Sequence, residues 1–210
     1  MKPERKLVLF ADATENGVRK VTSVVDYAVT GAVFTVASEW TIKDGAAKLK
    51  ATFKRTGKEI EPARVGLRTM LAKDALDVEW LGCGPFENYS DRKSGAFLSV
   101  WNLPSADFFI PYDVPQDCGN REGTYRVKLA SAFDVLTVET LAKPFAFEVC
   151  PYAPETLVQY KHPTELPESK GTFFGVYSQS RGLGGNSCGP LPLKHDKVLG
   201  DTFVLELVIR

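Results

Sequence analysis

In the stretch AAKLKATFKRTG, residues 46–57, Leu49, Ala51 and Phe53 alternate with Lys48, Lys50, Thr52 and Lys54. A period of two places the two sets on opposite faces of an extended strand, so the apolar set meets a core while the lysines stay in water. Asp44-Gly45, just before it, is the turn pair that a tight hairpin demands, with AVFTVASEWTI as the first arm. The same mixture of β-branched and aromatic residues bounded by turn signals recurs in RKVTSVVDYAVTG, ARVGLRTMLA, ALDVEWLG, AFLSVWNL, TYRVKLASA, DVLTVETLA, PFAFEVCPY, KGTFFGVYSQ and DTFVLELVIR. It predicts roughly a dozen strands. One helix is expected, over APETLVQYKHP, with Pro154 in its first turn, Glu155 at its positive end, His162 inside it and Pro163 as its stop. The expected fold is all-β, a large antiparallel β-sandwich formed by residues 1–210 as one domain, with residues 1–20 as a peripheral N-terminal segment. At 210 residues, 44% of them hydrophobic, the chain is long enough to bury such a core.

Twenty-six basic residues balance 26 acidic ones, so no summed field draws the chain to nucleic acid or to an anionic membrane. Leu7 to Phe10 is a short apolar run after a mixed-charge start, which fits neither a signal peptide nor a membrane span. Cys83, Cys118, Cys150 and Cys188 are widely spaced and form no CxxC pair. That spacing argues against zinc-ribbon and thioredoxin-like chemistry and for isolated, reduced, structural thiols.

GPFENYSDRKSGA, residues 84–96, concentrates charge and aromatic surface in one short run. Glu87 and Asp91 are four apart, close enough to share a face of a helical turn. A retaining glycosidase needs two carboxyl groups about 5 to 5.5 Å apart, one with a raised pKa. Arg92, Lys93 and Arg121 are equally available to neutralise the pair, and the favoured reading is a structural corner. In it Phe86 and Tyr89 anchor to the sandwich, and Glu87, Asp91 and Arg92 satisfy one another. Asn88 opens an N-Y-S sequon, but its amide is expected to tie the loop backbone together instead. PQDCGNR brings Asp117, Asn120 and Arg121 to the turn into a strand, where they either line a sugar-sized cleft or brace the ENYSDR loop. His162 and His195 are the chain's two histidines and neither sits in a nucleophile motif. GLGG, residues 182–185, is followed by no Lys-Ser/Thr, so it reads as a turning loop and not as a phosphate cradle.

Taken in order, WLGCGPFENYSDRKSGA, PYDVPQDCGNR, FAFEVCPYAPETL and GVYSQSRGLGGNSCGP resemble the successive signature blocks of the C-terminal, small-chain domain of family 2 β-galactosidases. EWTIKDG followed by PARVGLRTML is similar to the preceding part of that domain, so the resemblance runs from about Thr22 to Arg210. It implies an antiparallel supersandwich related to galactose mutarotase, packed beside a catalytic (β/α)8 barrel that holds both essential glutamates. It places no catalytic residue in this chain, which is therefore expected to be inactive alone and to shape the active-site rim and an interdomain or subunit interface.

The partners implied are the rest of a β-galactosidase and a galactoside. No cofactor is implied here, since intact members often use Mg or Na held by other domains, and the compartment implied is bacterial, cytoplasm or periplasm. Relatives carry a sugar-stacking tryptophan in a glycine-glycine-acidic-acidic-Ser-Trp loop. This sequence has GGNSCGP, one residue shorter, with Cys188 near the tryptophan's place. Asn186, Ser187 and Cys188 are thus candidate sugar contacts beside Asp117, Asn120 and Arg121, with Tyr177 as another place for the stacking role. The competing reading is an independent carbohydrate-binding or aldose mutarotase-like protein, which would need a general acid and base from His162, His195 and scattered carboxylates.

Overall fold

A computed structural model describes residues 3–72, 76–182, 184 and 191–210. The chain opens with β1 (Glu4–Glu15), β2 (Val18–Val29), β3 (Ala32–Lys43) and β4 (Ala46–Gly57), a meander of long antiparallel strands. Its first and third turns are built on Asn16-Gly17 and Asp44-Gly45, all four at positive φ, the backbone that two-residue hairpins require. β1 carries the Leu7–Phe10 run and is a strand that alternation alone did not mark. Val8 is the extra residue of a bulge between Leu7 and Leu9, and it breaks the period there.

β5 (Arg64–Leu71), β6 (Asp77–Gly84) and β7 (Phe97–Pro104) follow, then β8 (Asn120–Thr124), β9 (Arg126–Ala130), β10 (Val135–Thr140) and β11 (Phe145–Cys150). After a short helix, α1 (Pro154–Leu157), come β12 (Thr172–Ser180) and β13 (Thr202–Ile209). They form a nine-stranded sheet, β1-β2-β3-β4-β13-β10-β9-β6-β7, against a four-stranded one, β5-β12-β11-β8. Every pairing is antiparallel. The chain is therefore the all-β sandwich that the alternation predicts. α1 is much shorter than the expected helix over residues 153–163: the chain leaves it after Leu157 and Pro163 opens a separate 3₁₀ turn. His162 caps that turn and lies outside α1.

The core lies between the sheets. Trp80 and Phe147 are fully buried with ring centroids 5.8 Å apart, and Phe108 closes the trio at 5.5 Å from Trp80. β11 is buried along its whole length, which is why FAFEVC reads as a continuous apolar run broken only by Glu148. Among the described residues no helix is long and apolar enough to cross a membrane.

Candidate functional site

The 84–96 corner begins where β6 ends. A side chain at Gly84 would meet the rings of Trp80 and Trp101, so only glycine lets the strand turn there. Tyr89 and Arg92 exchange backbone bonds at 3.2 and 3.0 Å, closing a turn whose tyrosine is fully buried. Burial, with Asp117 and Glu87 nearby, drives the Tyr89 phenol pKa well above its usual range, so its hydroxyl stays a donor, to Asp117 Oδ1 at 3.2 Å. Phe86, expected as a second anchor, is instead 71% exposed, because the turn leaves it on the outside of the bend.

Glu87 is the buried charge of the corner. Arg92 Nη1 donates to its Oε1 at 2.6 Å, the Tyr112 hydroxyl donates to the same oxygen, and the Gly119 N–H donates to Oε2 at 3.1 Å. Three donors on one buried carboxylate satisfy it in the way that buried charge requires. Asp91 turns away from this cluster and accepts the Gly184 N–H at 2.8 Å. Glu87 and Asp91 thus serve different partners.

Asn88 is the tie that its sequence position suggests. Its amide donates to the carbonyls of Cys83 and Phe86 at 3.3 and 3.0 Å and accepts the Glu122 N–H at 2.8 Å. At 1% exposure it offers no access for glycosylation. Asn120 completes the brace, donating to the Asn88 carbonyl at 2.8 Å and accepting the Asn88 N–H at 3.0 Å through its own carbonyl. Arg121 is also buried and faces inward: its guanidinium lies over the rings of Phe108 and Trp80, 4.5 and 5.4 Å from their centroids. Burial pulls its pKa down to about 10. Of the PQDCGNR trio, then, Asn120 and Arg121 are interior, and Asp117, with a side chain 27% exposed, is the one that reaches solvent.

Beneath Asp117 lies a charged layer that sequence reading missed. Arg64, on β5, bridges Asp117 and Glu148, its Nη1 standing 3.0 Å from Glu148 Oε2. Tyr177 donates to the same Glu148 oxygen at 2.9 Å and lies under the Arg64 guanidinium. Burial raises the Glu148 pKa to about 7 although Arg64 opposes it. Tyr177 is 4% exposed and occupied by Glu148, so it is no stacking platform for a sugar. Cys118 and Cys150, distant in sequence, meet in the interior with their sulfurs 3.9 Å apart, both reduced, so neither is isolated in space.

Asp91 also marks the edge of an open cleft of about 540 Å³, lined by Ser90, Asp91, Lys93, Gly184, His195 and Asp196 among others. Ser90 donates to the Asp196 carbonyl at 3.2 Å, and Gly182 donates to the same carbonyl at 2.7 Å. The corner is thereby fastened to both ends of the glycine-rich segment. Asn186, Ser187 and Cys188 lie outside the described residues. His162 and His195 are both exposed and belong to separate 3₁₀ turns.

The family described as "Beta galactosidase small chain" matches residues 4–209. The chain belongs to that family. It is 35% identical over 181 residues to a β-galactosidase of Lactococcus lactis subsp. lactis (strain IL1403), covering 85% of this chain and 18% of that enzyme. It is 30% identical over 211 residues to a β-galactosidase of Halalkalibacterium halodurans, covering 97% of this chain and 20% of that enzyme. This β-galactosidase small-chain homologue therefore spans about one fifth of the length of these curated relatives. Among solved structures, the galactosidase domain of the alpha-galactosidase-sucrose kinase AgaSK is matched over 99% of this chain and 27% of that one, at 10% identity and a TM-score of 0.47.

Proposed function

We propose that this chain serves as the accessory sandwich of a β-galactosidase, shaping the rim of a galactoside site whose catalytic carboxylates lie in the rest of the enzyme. The observation that carries the reading is the bond from Gly184 to Asp91, which ties the signature corner to the glycine-rich segment beside an open cleft of mixed polar and apolar lining. Loops fixed on a rigid scaffold are where binding groups concentrate, and a cleft of this size suits a sugar. In this reading Asn186, Ser187 and Cys188 supply sugar contacts, Asp117 is the outermost polar group of the neighbouring layer, and Asn120 and Arg121 act through the brace. Three donors hold Glu87 within the corner and Gly184 engages Asp91, so in this reading both carboxylates serve the loop's own structure.

The test is to give the purified chain a chromogenic β-galactoside and, separately, α-galactose. Silence in both the hydrolysis and the mutarotation assay is expected. Mutarotation abolished by His162→Ala or His195→Ala would establish an independent enzyme instead.

A further inference from the structure

The two sheets of the sandwich are unequal, and the excess falls at one end. β8 packs on β6 and β12 on β13, so β5 lies toward β4, and β1, β2 and β3 extend beyond the four-stranded sheet. Register shows what they present there. Phe53, in the core, is paired with Val36, Val36 with Val25, and Val25 with Leu7, so one cross-strand row runs from the interior out to the edge of the sheet. Along it Phe53 is buried, Val36 and Val25 are half-buried, and Leu7 is 61% exposed. Phe10, on the same face of β1, is 60% exposed. The opposite face of β4 carries Lys48, Lys50 and Lys54 and is the water-facing side. On β3, Val36 and Trp40 still pack against the core; beyond them the apolar side of β2 and β1 continues the core face with no strand laid over it among the described residues. An apolar surface of this kind marks an interaction site in a soluble protein.

We propose that this face is a docking surface for β-strands from the remaining polypeptide of a β-galactosidase, entering beside β5 and lengthening the four-stranded sheet over β1–β3. Three observations choose that occupant. β5 is the edge of its sheet that faces the overhang, and among the described residues it pairs with β12 alone, leaving its other row of backbone donors and acceptors open to an added strand. The relatives are about five times the length of the matched stretch, so most of such an enzyme lies outside it. The β1 bulge at Val8 distorts the outer edge of the large sheet, which disfavours a second copy pairing there and leaves face-on covering as the way to bury Leu7 and Phe10.

The proposal rests on the reading that the chain works within a β-galactosidase, and one experiment separates the two. The Lactococcus lactis enzyme is expressed without the stretch this chain matches, together with this 210-residue chain, and the complex is analysed by amide exchange and by turnover. The deleted Lactococcus stretch supplied in trans is the positive control. The expected result is co-elution, with β1–β3 and β5 amides exchanging at least about tenfold more slowly than in the chain alone. Phe10→Lys is expected to remove co-elution, whereas Lys50→Glu, on the water-facing side, is expected to leave it. Failure to co-elute where the control succeeds overturns the docking surface, as does co-elution with unchanged exchange at β1–β3. Concentration-dependent dimerisation of the chain that Phe10→Lys abolishes also overturns it, by assigning the face to a second copy. Protection without turnover contradicts the functional reading and leaves the surface standing; turnover without protection does the reverse.

Discussion

Glu148 lies fully buried with one carboxylate oxygen 3.0 Å from the Arg64 guanidinium, while its other oxygen is buried without a hydrogen-bond partner among the described residues. Burial raises its pKa to about 7, whereas the unfolded chain titrates near the ordinary glutamate value of 4.5. Between these values the folded state holds a proton that the unfolded state has released, so stability falls as pH rises through this window and levels off above it. Glu148→Gln cannot ionise, and the difference in thermal midpoint between wild type and variant is expected to change over about pH 4.5 to 7. Parallel pH profiles for the two proteins would show that Glu148 does not titrate this way.

Glu87 gathers three donors in a buried setting, and its removal strands them. Glu87→Ala is expected to cost about 2–3 kcal/mol in chemical denaturation, below the roughly 3–5 kcal/mol of a fully buried pair, because Arg92 is half exposed and rehydrates. Tyr112→Phe removes one donor and is expected to cost about 1 kcal/mol. An unchanged midpoint for Glu87→Ala would contradict the structural role given to the corner.

Asp91→Ala leaves the Gly184 N–H without its acceptor, at an expected cost of about 1–2 kcal/mol. The Gly184 amide should exchange faster while amides in β11 stay protected. Asp91→Asn keeps an acceptor oxygen and should lie nearer wild type. A fully folded Asp91→Ala protein with wild-type exchange at Gly184, whose reconstituted enzyme nevertheless lost turnover, would move Asp91 from brace to chemistry.

Phe147 sits at 0% exposure between Trp80 and Phe108. Phe147→Ala opens a cavity between the sheets and is expected to cost about 3–5 kcal/mol, measured by denaturant unfolding. A loss under about 1 kcal/mol would mean the sheets close over the gap.

The meander was legible because Leu49, Ala51 and Phe53 repeat at the period of a strand and Asp44-Gly45 supplies its turn. β1 was less so, since the Val8 bulge interrupts that period. α1 was overextended because Pro154 and Pro163 bracket a helix-compatible run, while the chain spends most of it in turns around Tyr160 and His162. At the corner, local chemistry foretold the Asn88 tie and the Glu87–Arg92 pair, whose partners lie within a few residues. Arg64, Tyr112 and Glu148 carry no such signal. Their partners come from other strands, and only the packing of β5 beside β12 and β11 brings the arginine to its two carboxylates. Phe86 was misplaced because an aromatic in a turn gives no sign of which side of the bend it takes.

Whether this sandwich completes a β-galactosidase without doing the chemistry is decided by a chimera. The stretch of the Lactococcus lactis enzyme that this chain matches is replaced by residues 4–209, and kcat/KM is measured on a chromogenic β-galactoside beside the isolated chain. Turnover is expected of the chimera and none of the chain alone. A folded chimera devoid of turnover, or hydrolysis by the isolated 210-residue chain, would contradict it.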